Sequence, residues 1–150
     1  MNRVISGSCL CGSVKYQITG ELFMSAYCHC SMCRKAHGSA FRPRALVWAK
    51  DFHWIQGQDL LADFTSSAGA HRMFCRNCGS PIVARSDQYP TILNLAMGTL
   101  DDDPGIRPSQ HWHVASKAPW FETTDHLPQF AEFPPMPGQG VGSNGGAEGR

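Results

Sequence analysis

Seven cysteines grouped in three tight clusters constrain this chain more than any other feature of its sequence. The clusters are Cys9-Leu10-Cys11, Cys28-His29-Cys30-Ser31-Met32-Cys33 and Cys75-Arg76-Asn77-Cys78. Thiols this close together have the spacing of ligands that share one metal ion. Four thiolates close a tetrahedral zinc site, whereas three leave one position for water or a substrate. A count of seven therefore predicts one structural metal and one reactive metal.

Other uses of cysteine explain these clusters less well. A secreted disulfide scaffold has an even number of cysteines, whereas this chain has seven. Such a scaffold also carries an apolar export segment, which we do not expect in a chain that begins Met1-Asn2-Arg3-Val4. A redox pair at Cys75 and Cys78 would open a helix, but Gly79-Ser80-Pro81 follows and opposes helix growth. We therefore expect a reducing compartment, a cytoplasmic location and metal binding.

Composition limits the partners and the number of domains. The chain has 150 residues, the size of one ordinary domain, and can fold without cross-links. Its net charge is +1 without any run of basic residues, so we expect no nucleic-acid partner. No stretch approaches the ~20 apolar residues that cross a bilayer, so we expect no membrane partner. We predict one zinc-binding domain over 1–133 and a flexible tail over 134–150, whose Pro/Gly-rich composition cannot bury apolar surface.

Apolar and polar residues alternate in short segments. Val14, Tyr16 and Ile18 lie on one face of a predicted strand that is bounded by Gly12 and Gly20. Further short strands are predicted at Phe52 to Ile55, Met73 to Cys75, Ile82 to Ala84, Thr91 to Ala96 and Gln110 to Ala115. Many short strands separated by turn residues predict a mainly β fold, with antiparallel strands in a sandwich or a barrel-like arrangement.

Helical structure is expected in one place. The segment from Ser31 to His37 is predicted to form one or two helical turns, with Gly38 as the C-terminal cap. A plain loop wrapped around a metal is the alternative for this segment.

The first and third cysteine clusters are predicted to hold one metal together. Cys9 and Cys11 point to the same side of an extended chain, and Cys75 and Cys78 lie in a tight turn that Gly79 can leave with a positive φ. Their four sulfurs fit a closed tetrahedron, as expected for a structural clamp. Two separate half-sites completed by other ligands are the alternative.

The middle cluster is predicted to hold the second metal. Cys28, Cys30 and Cys33 can bind an ion from one side and leave the opposite side open, as a catalytic zinc requires. Thiolates are soft ligands and favour zinc over magnesium or calcium. In the alternative, His29, His37 or another histidine closes this site and both metals are structural, although an extended Cys-x-Cys pair directs the His29 side chain away.

The sequence resembles the glutathione-dependent formaldehyde-activating enzyme family, which includes centromere protein V. The resemblance is carried by Gly7-Ser8-Cys9-Leu10-Cys11-Gly12-Ser13-Val14, by Cys28-His29-Cys30-Ser31-Met32-Cys33-Arg34-Lys35, by Phe74-Cys75-Arg76-Asn77-Cys78-Gly79-Ser80-Pro81 and by His111-Trp112-His113-Val114-Ala115-Ser116-Lys117-Ala118-Pro119-Trp120-Phe121. The match runs in the family's order from about Val4 to Phe133.

The resemblance implies a fold similar to that of methionine sulfoxide reductase B and the translationally controlled tumour protein. It implies a structural zinc on Cys9, Cys11, Cys75 and Cys78 and a second zinc with an open position on the other three cysteines. It also implies a carbon-sulfur lyase that combines glutathione, as co-substrate, with formaldehyde to give S-hydroxymethylglutathione. Because the thiol addition is easy without a catalyst, the resemblance points to the family more firmly than to this substrate pair. We therefore expect a thiol adduct of a small aldehyde or of a related small electrophile.

Three residues that follow the middle cluster are candidates for substrate binding. Lys35, His37 and Arg42 are close enough in sequence to line the open side and to meet glutathione carboxylates or exchange a proton. Because most surface ion pairs contribute little, the interpretation of Lys35 and Arg42 as solvated surface charges is favoured. His111 and His113 are predicted to share one face of a strand, in a supporting or surface role rather than as ligands.

Two further functional hypotheses remain. In the first, the protein is a non-catalytic two-zinc module whose surface binds a partner. In the second, it is a reductase that uses a free Cys28 or Cys33 thiol of low pKa.

Overall fold

The structure, a computed structural model, describes residues 3–134. The predicted tail over 134–150 therefore lies outside the described residues, apart from Pro134. Contacts divide the chain into two compact units. A zinc-binding domain over 1–133 stays a prediction. The first unit contains the chain up to Ser25 together with Arg44–Arg107, and the second contains Ala26–Pro43 and the chain from Pro108 onward. None of the helices in the described part is long and apolar enough to cross a membrane.

Ten strands and one α-helix form between residues 3 and 134, in agreement with a mainly β fold. In chain order they are β1 (Ile5–Ser8), β2 (Lys15–Ile18), β3 (Phe23–Cys28), α1 (Ser31–His37), β4 (Arg42–Trp48), β5 (Phe52–Gln56), β6 (Leu61–Ser67), β7 (Ala70–Cys75), β8 (Pro81–Ser86), β9 (Ile92–Ala96) and β10 (His111–Trp112). Short 3-10 turns follow β4, β5, β9 and β10.

The strands form two sheets. The smaller sheet has the order β1-β2-β5, and the larger has the order β10-β3-β4-β9-β8-β7-β6. Neighbours from β4 through β9, β8 and β7 to β6 are antiparallel, as predicted. The short pairing of β10 with β3 is parallel instead. It joins chain segments that are distant in sequence, which local patterning does not predict.

The alternation predicted between Gly12 and Gly20 builds the core of the first unit. Tyr16 and Ile18 in β2 are 1% and 0% exposed. The Tyr16 ring stacks on Phe52 at a centroid distance of 4.8 Å, and its hydroxyl lies 2.7 Å from Thr99 Oγ1. Gly7, opposite Tyr16 in β1, leaves room for this ring, since a Cβ there would lie 2.1 Å from Tyr16 Cζ. The contact between Gly7 and Tyr16 thus lies at the end of β1, immediately before the first cysteine cluster.

Helix α1 has the predicted bounds because both of its ends are capped locally. Cys30 is the N-cap, and its sulfur accepts a hydrogen bond from the Cys33 backbone N–H. Gly38 has φ 59° and donates its N–H to the Arg34 carbonyl, which ends the helix. The alternative of a plain metal-wrapped loop is therefore wrong.

The last predicted strand is shorter than expected. Pairing ends at Trp112 because His113 has a left-handed backbone with φ 59°, and Val114–Ser116 then forms a 3-10 turn. The predicted alternation thus does not extend to His113, and the expectation that His111 and His113 share a face is wrong. Both histidines are buried, at 2% exposure each, so neither has the surface role considered from the sequence.

Candidate metal centres

The side chains of four cysteines in the first unit form one cluster. Cys9 and Cys11 lie on the turn after β1, while Cys75 ends β7 and Cys78 lies in the turn before β8. Their sulfurs all lie within 4.8 Å of one another, and all four thiols are free. The Cys9–Cys11 and Cys11–Cys75 Sγ distances are 3.6 and 3.9 Å. A tetrahedron with Zn–S bonds of ~2.3 Å has edges of about 3.8 Å, so the sulfur spacing fits a four-coordinate metal.

Backbone hydrogen bonds build the two turns that present these sulfurs. The Gly12 N–H donates to the Cys9 carbonyl at 3.0 Å, and the Val14 N–H donates to Cys9 Sγ at 3.2 Å. In the second turn the Gly79 N–H donates to the Cys75 carbonyl at 2.7 Å, with φ 81° at Gly79. The positive φ that Gly79 was predicted to supply is therefore present.

Hydrogen bonds and burial shift the pKa values of three of these thiols in different directions. Hydrogen bonds from the Ser80 hydroxyl and backbone lower the pKa of Cys78 to about 5. Ser13 likewise lowers the pKa of Cys11, whereas burial raises the pKa of Cys75 to about 11. Cys11 and Cys78 are thus closer to the thiolate form, whereas Cys75 needs a nearby cation to ionise near neutral pH. A set of four soft donors in this geometry suits zinc, and the interpretation as two separate half-sites is not needed.

Three cysteines of the second unit form the other group. Cys28 ends β3, Cys30 caps α1 and Cys33 lies in the first turn of that helix. All three are buried, and their sulfurs lie within 4.8 Å of one another. Among residues 3–134, this group contains no histidine or carboxylate, so closure by His29, His37 or another histidine is not supported.

Proximity makes these three thiols difficult to ionise together. Contacts with the Cys30 and Cys33 thiols, and then burial, raise the pKa of Cys28. The pKa of Cys30 is raised as well, because its hydrogen bond with Cys28, which lowers it, is outweighed by Cys33 and by burial. Three buried thiolates require a compensating cation, so the donor set fits a metal ion. The hypothesis of a reductase with a free thiol of low pKa at Cys28 is not supported by this shift.

The histidine between two of these cysteines has a partner of its own. His29 is 0% exposed, and its Nε2 lies 2.8 Å from His111 Nδ1. Burial, followed by the charge of His111, lowers the pKa of His29 to about 4. On its other side, His111 Nε2 lies 3.0 Å from a carboxylate oxygen of Asp125. Sequence reasoning missed Asp125, because no local pattern connects it to the cysteines.

The three candidates for substrate binding lie in different environments. Lys35 is exposed and His37 is half-buried, both in the last turn of α1. Arg42 is only 3% exposed, so its interpretation as a solvated surface charge is wrong. A substrate-binding role for these residues stays a prediction.

Comparisons with known proteins identify a family, a curated relative and a similar solved structure. The sequence model of a family described as "Glutathione-dependent formaldehyde-activating enzyme" matches residues 4–116, a range that includes all seven cysteines. A curated Halomonas elongata protein, provisionally named as a glutathione-dependent formaldehyde-activating enzyme, is 23% identical over 126 residues, which cover 79% of this chain and 80% of that one. A Rhodobacter sphaeroides protein of known crystal structure is similar with a TM-score of 0.55 and 25% identity, over 69% of this chain and 91% of that chain.

Proposed function

The chain belongs to the glutathione-dependent formaldehyde-activating enzyme family, and from that membership we propose that it is a zinc-dependent carbon-sulfur lyase-type enzyme. Its substrate would be a thiol adduct, glutathione-like in its thiol part, of a small aldehyde or a related electrophile. The observation that carries the proposal is the unequal division of seven free cysteines into one group of four and one of three. A structural ion needs four protein ligands, whereas a reactive ion needs a position for substrate.

The reaction conserves atoms and involves no oxidation. With glutathione and formaldehyde, the thiol sulfur forms a bond to the carbonyl carbon and the C=O π bond breaks. The thiol proton ends on the oxygen, which gives S-hydroxymethylglutathione, and the lyase direction is the reverse. Holding the two reactants together supplies much of the acceleration that such an addition can have.

Cys28, Cys30 and Cys33 are the residues that would hold the reactive ion, with Cys9, Cys11, Cys75 and Cys78 holding the structural one. When bound, zinc would supply a Lewis acid that keeps a substrate sulfur as thiolate at neutral pH.

The protein positions the three sulfurs through local contacts. The Cys33 N–H donates to Cys30 Sγ at 3.3 Å, which fixes the spacing of these two ligands. His29 cannot turn toward the same ion without breaking its contact with His111. Burial of the three cysteines excludes water and strengthens electrostatic interactions at the site.

Basic side chains near the middle cluster are candidates for binding the carboxylates of glutathione. Lys35 and His37 lie on α1 after Cys33, and Arg42 begins β4. We propose Lys35 as the first to test, because it is exposed and can reach a solvated ligand. Lys35→Ala should weaken glutathione binding, whereas Lys15→Ala, on an exposed position of β2, should not.

The deciding experiment compares two ligands by calorimetric titration of the zinc-loaded protein. Glutathione should bind at least about tenfold more tightly than S-methylglutathione, whose sulfur cannot become a thiolate. Cys30→Ser should remove this preference. Equal affinities for the two ligands would contradict thiol capture.

A second candidate is a non-catalytic two-zinc module that binds a partner. The observation that favours it is the burial of Cys28, Cys30 and Cys33, all at 4% exposure or less, which is typical of structural cysteines. The same titration separates the two functions, because a structural module has no reason to prefer the free thiol.

A further inference from the structure

Three side chains of the second unit form a continuous hydrogen-bonded chain that ends between two of the cysteines. His29 Nε2 lies 2.8 Å from His111 Nδ1, and His111 Nε2 lies 3.1 and 3.0 Å from the two carboxylate oxygens of Asp125. The two histidines are buried, whereas the Asp125 side chain is 42% exposed. The chain therefore connects the surface with the backbone that carries Cys28 and Cys30.

The acceptor at the outer end sets the direction of donation. A carboxylate only accepts hydrogen bonds, so His111 Nε2 carries a proton and donates it to Asp125. The contact between the two rings, 2.8 Å from His29 Nε2 to His111 Nδ1, uses the other nitrogen of His111. Asp125 itself is held in place, because the Leu127 N–H donates to its Oδ1 at 3.0 Å.

Packing leaves the His29 ring little freedom. The ring lies 5.4 Å from the Phe41 ring and 6.2 Å from the Phe121 ring, measured between centroids. Its backbone N–H donates to the Trp112 carbonyl at 2.8 Å, and Trp112 is the register partner of Cys28. Both the side chain and the main chain of His29 are thus attached to β10.

We propose that Asp125 is a positioning residue for the three-cysteine group: through His111 it holds the His29 ring, and with it the backbone of Cys28 and Cys30, in the metal-binding arrangement. This inference rests on the proposed metal at these cysteines. It adds Asp125 and His111 to the residues on which that site depends, although neither is a ligand in the described group. Partners that orient a metal site from outside typically change its affinity by about 10–100-fold when removed.

The first test measures zinc affinity by competition with a chromophoric chelator. Asp125→Ala should weaken the more labile zinc by about tenfold or more and leave the tighter one unchanged. Glu122→Ala removes an exposed carboxylate nearby in sequence and should change neither affinity. Asp125→Asn keeps an acceptor oxygen for His111 and should stay closer to the wild type than Asp125→Ala. An affinity of Asp125→Ala within about twofold of the wild type would overturn the proposal.

The second test reads the ring protons directly in the zinc-loaded wild-type protein. Long-range proton–nitrogen NMR spectra should show a proton on His111 Nε2, the nitrogen that faces Asp125. A His111 ring without a proton on Nε2 would overturn the proposal, whether or not Asp125→Ala folds. Neither test uses glutathione, so a protein that passes both and fails to prefer glutathione would refute the proposed function alone.

Discussion

The Sγ atoms of Cys11 and Cys75 lie 3.9 Å apart although 64 positions separate the two residues in the chain. One lies on the turn after β1 and the other ends β7, in different sheets. A metal bound by the four cysteines would close this long loop and stabilise the folded chain by restricting the unfolded one.

Replacing a buried ligand of this group should therefore destabilise the fold. Cys75 is fully buried, and Cys75→Ser removes a metal ligand and leaves a hydroxyl in its place. We expect the free energy of unfolding to fall by more than about 4 kcal/mol, as is typical when a structural metal is lost. Urea unfolding followed by tryptophan fluorescence measures this change. A loss below about 1 kcal/mol would show that the four-cysteine group is not structural.

The same substitution in the other group should have a different effect. Serine is a strongly preferred N-cap residue, so Cys30→Ser should keep α1 capped while it removes one of three metal ligands. We expect one zinc per chain to be lost with the far-UV circular dichroism unchanged. Metal analysis and thermal unfolding of Cys30→Ser beside Cys75→Ser check this. Equal destabilisation by both substitutions would contradict the division of roles.

Packing at the end of β1 should be sensitive to a single methyl group. A Cβ on Gly7 would lie 2.1 Å from Tyr16 Cζ, and the ring is buried, at 1% exposure. Gly7→Ala should cost about 1–3 kcal/mol through overpacking. Gly98→Ala is the matched control, since a Cβ there meets nothing within 4 Å. If chemical denaturation shows the two variants to be equally stable, the packing of Tyr16 on Gly7 is not as described.

The ionisation of Tyr16 should make the protein less stable at high pH. Burial raises the pKa of Tyr16 above that of an unfolded tyrosine, so the folded state keeps the phenol neutral. Stability is therefore complete below about pH 10 and falls above it, by up to about 1.4 kcal/mol per pH unit, because only the unfolded state releases the proton. Tyr16→Phe should lack this component of the pH dependence. Ultraviolet titration of the folded wild type in which every tyrosine ionises near pH 10 would contradict the prediction.

Local chemistry explains which parts of the fold were predictable from the sequence. Helix α1 has its predicted bounds because Cys30 and Gly38 cap it within one turn on either side. The strand around Tyr16 follows from strict alternation, which reports burial on one face. The grouping of cysteines followed from ligand spacing and from the tetrahedral preference of zinc.

Long-range contacts explain what was missed. The left-handed backbone of His113, which ends β10, has no signal in the sequence around it. The small contribution of most surface ion pairs favours a solvated Arg42, but in the fold Arg42 is 3% exposed. The contact of His29 with His111 spans 82 positions, and no periodicity or motif connects residues that far apart.

The most direct test of the unequal metal groups is the zinc content of the purified protein before and after mild chelation, followed by glutathione titration. We predict two zinc ions per chain, one for each cysteine group. The chelator should remove one ion without unfolding the protein, and glutathione binding should be lost with it. Two ions that leave together, or glutathione binding that is unchanged after the first ion leaves, would contradict a closed four-cysteine site beside a reactive three-cysteine site.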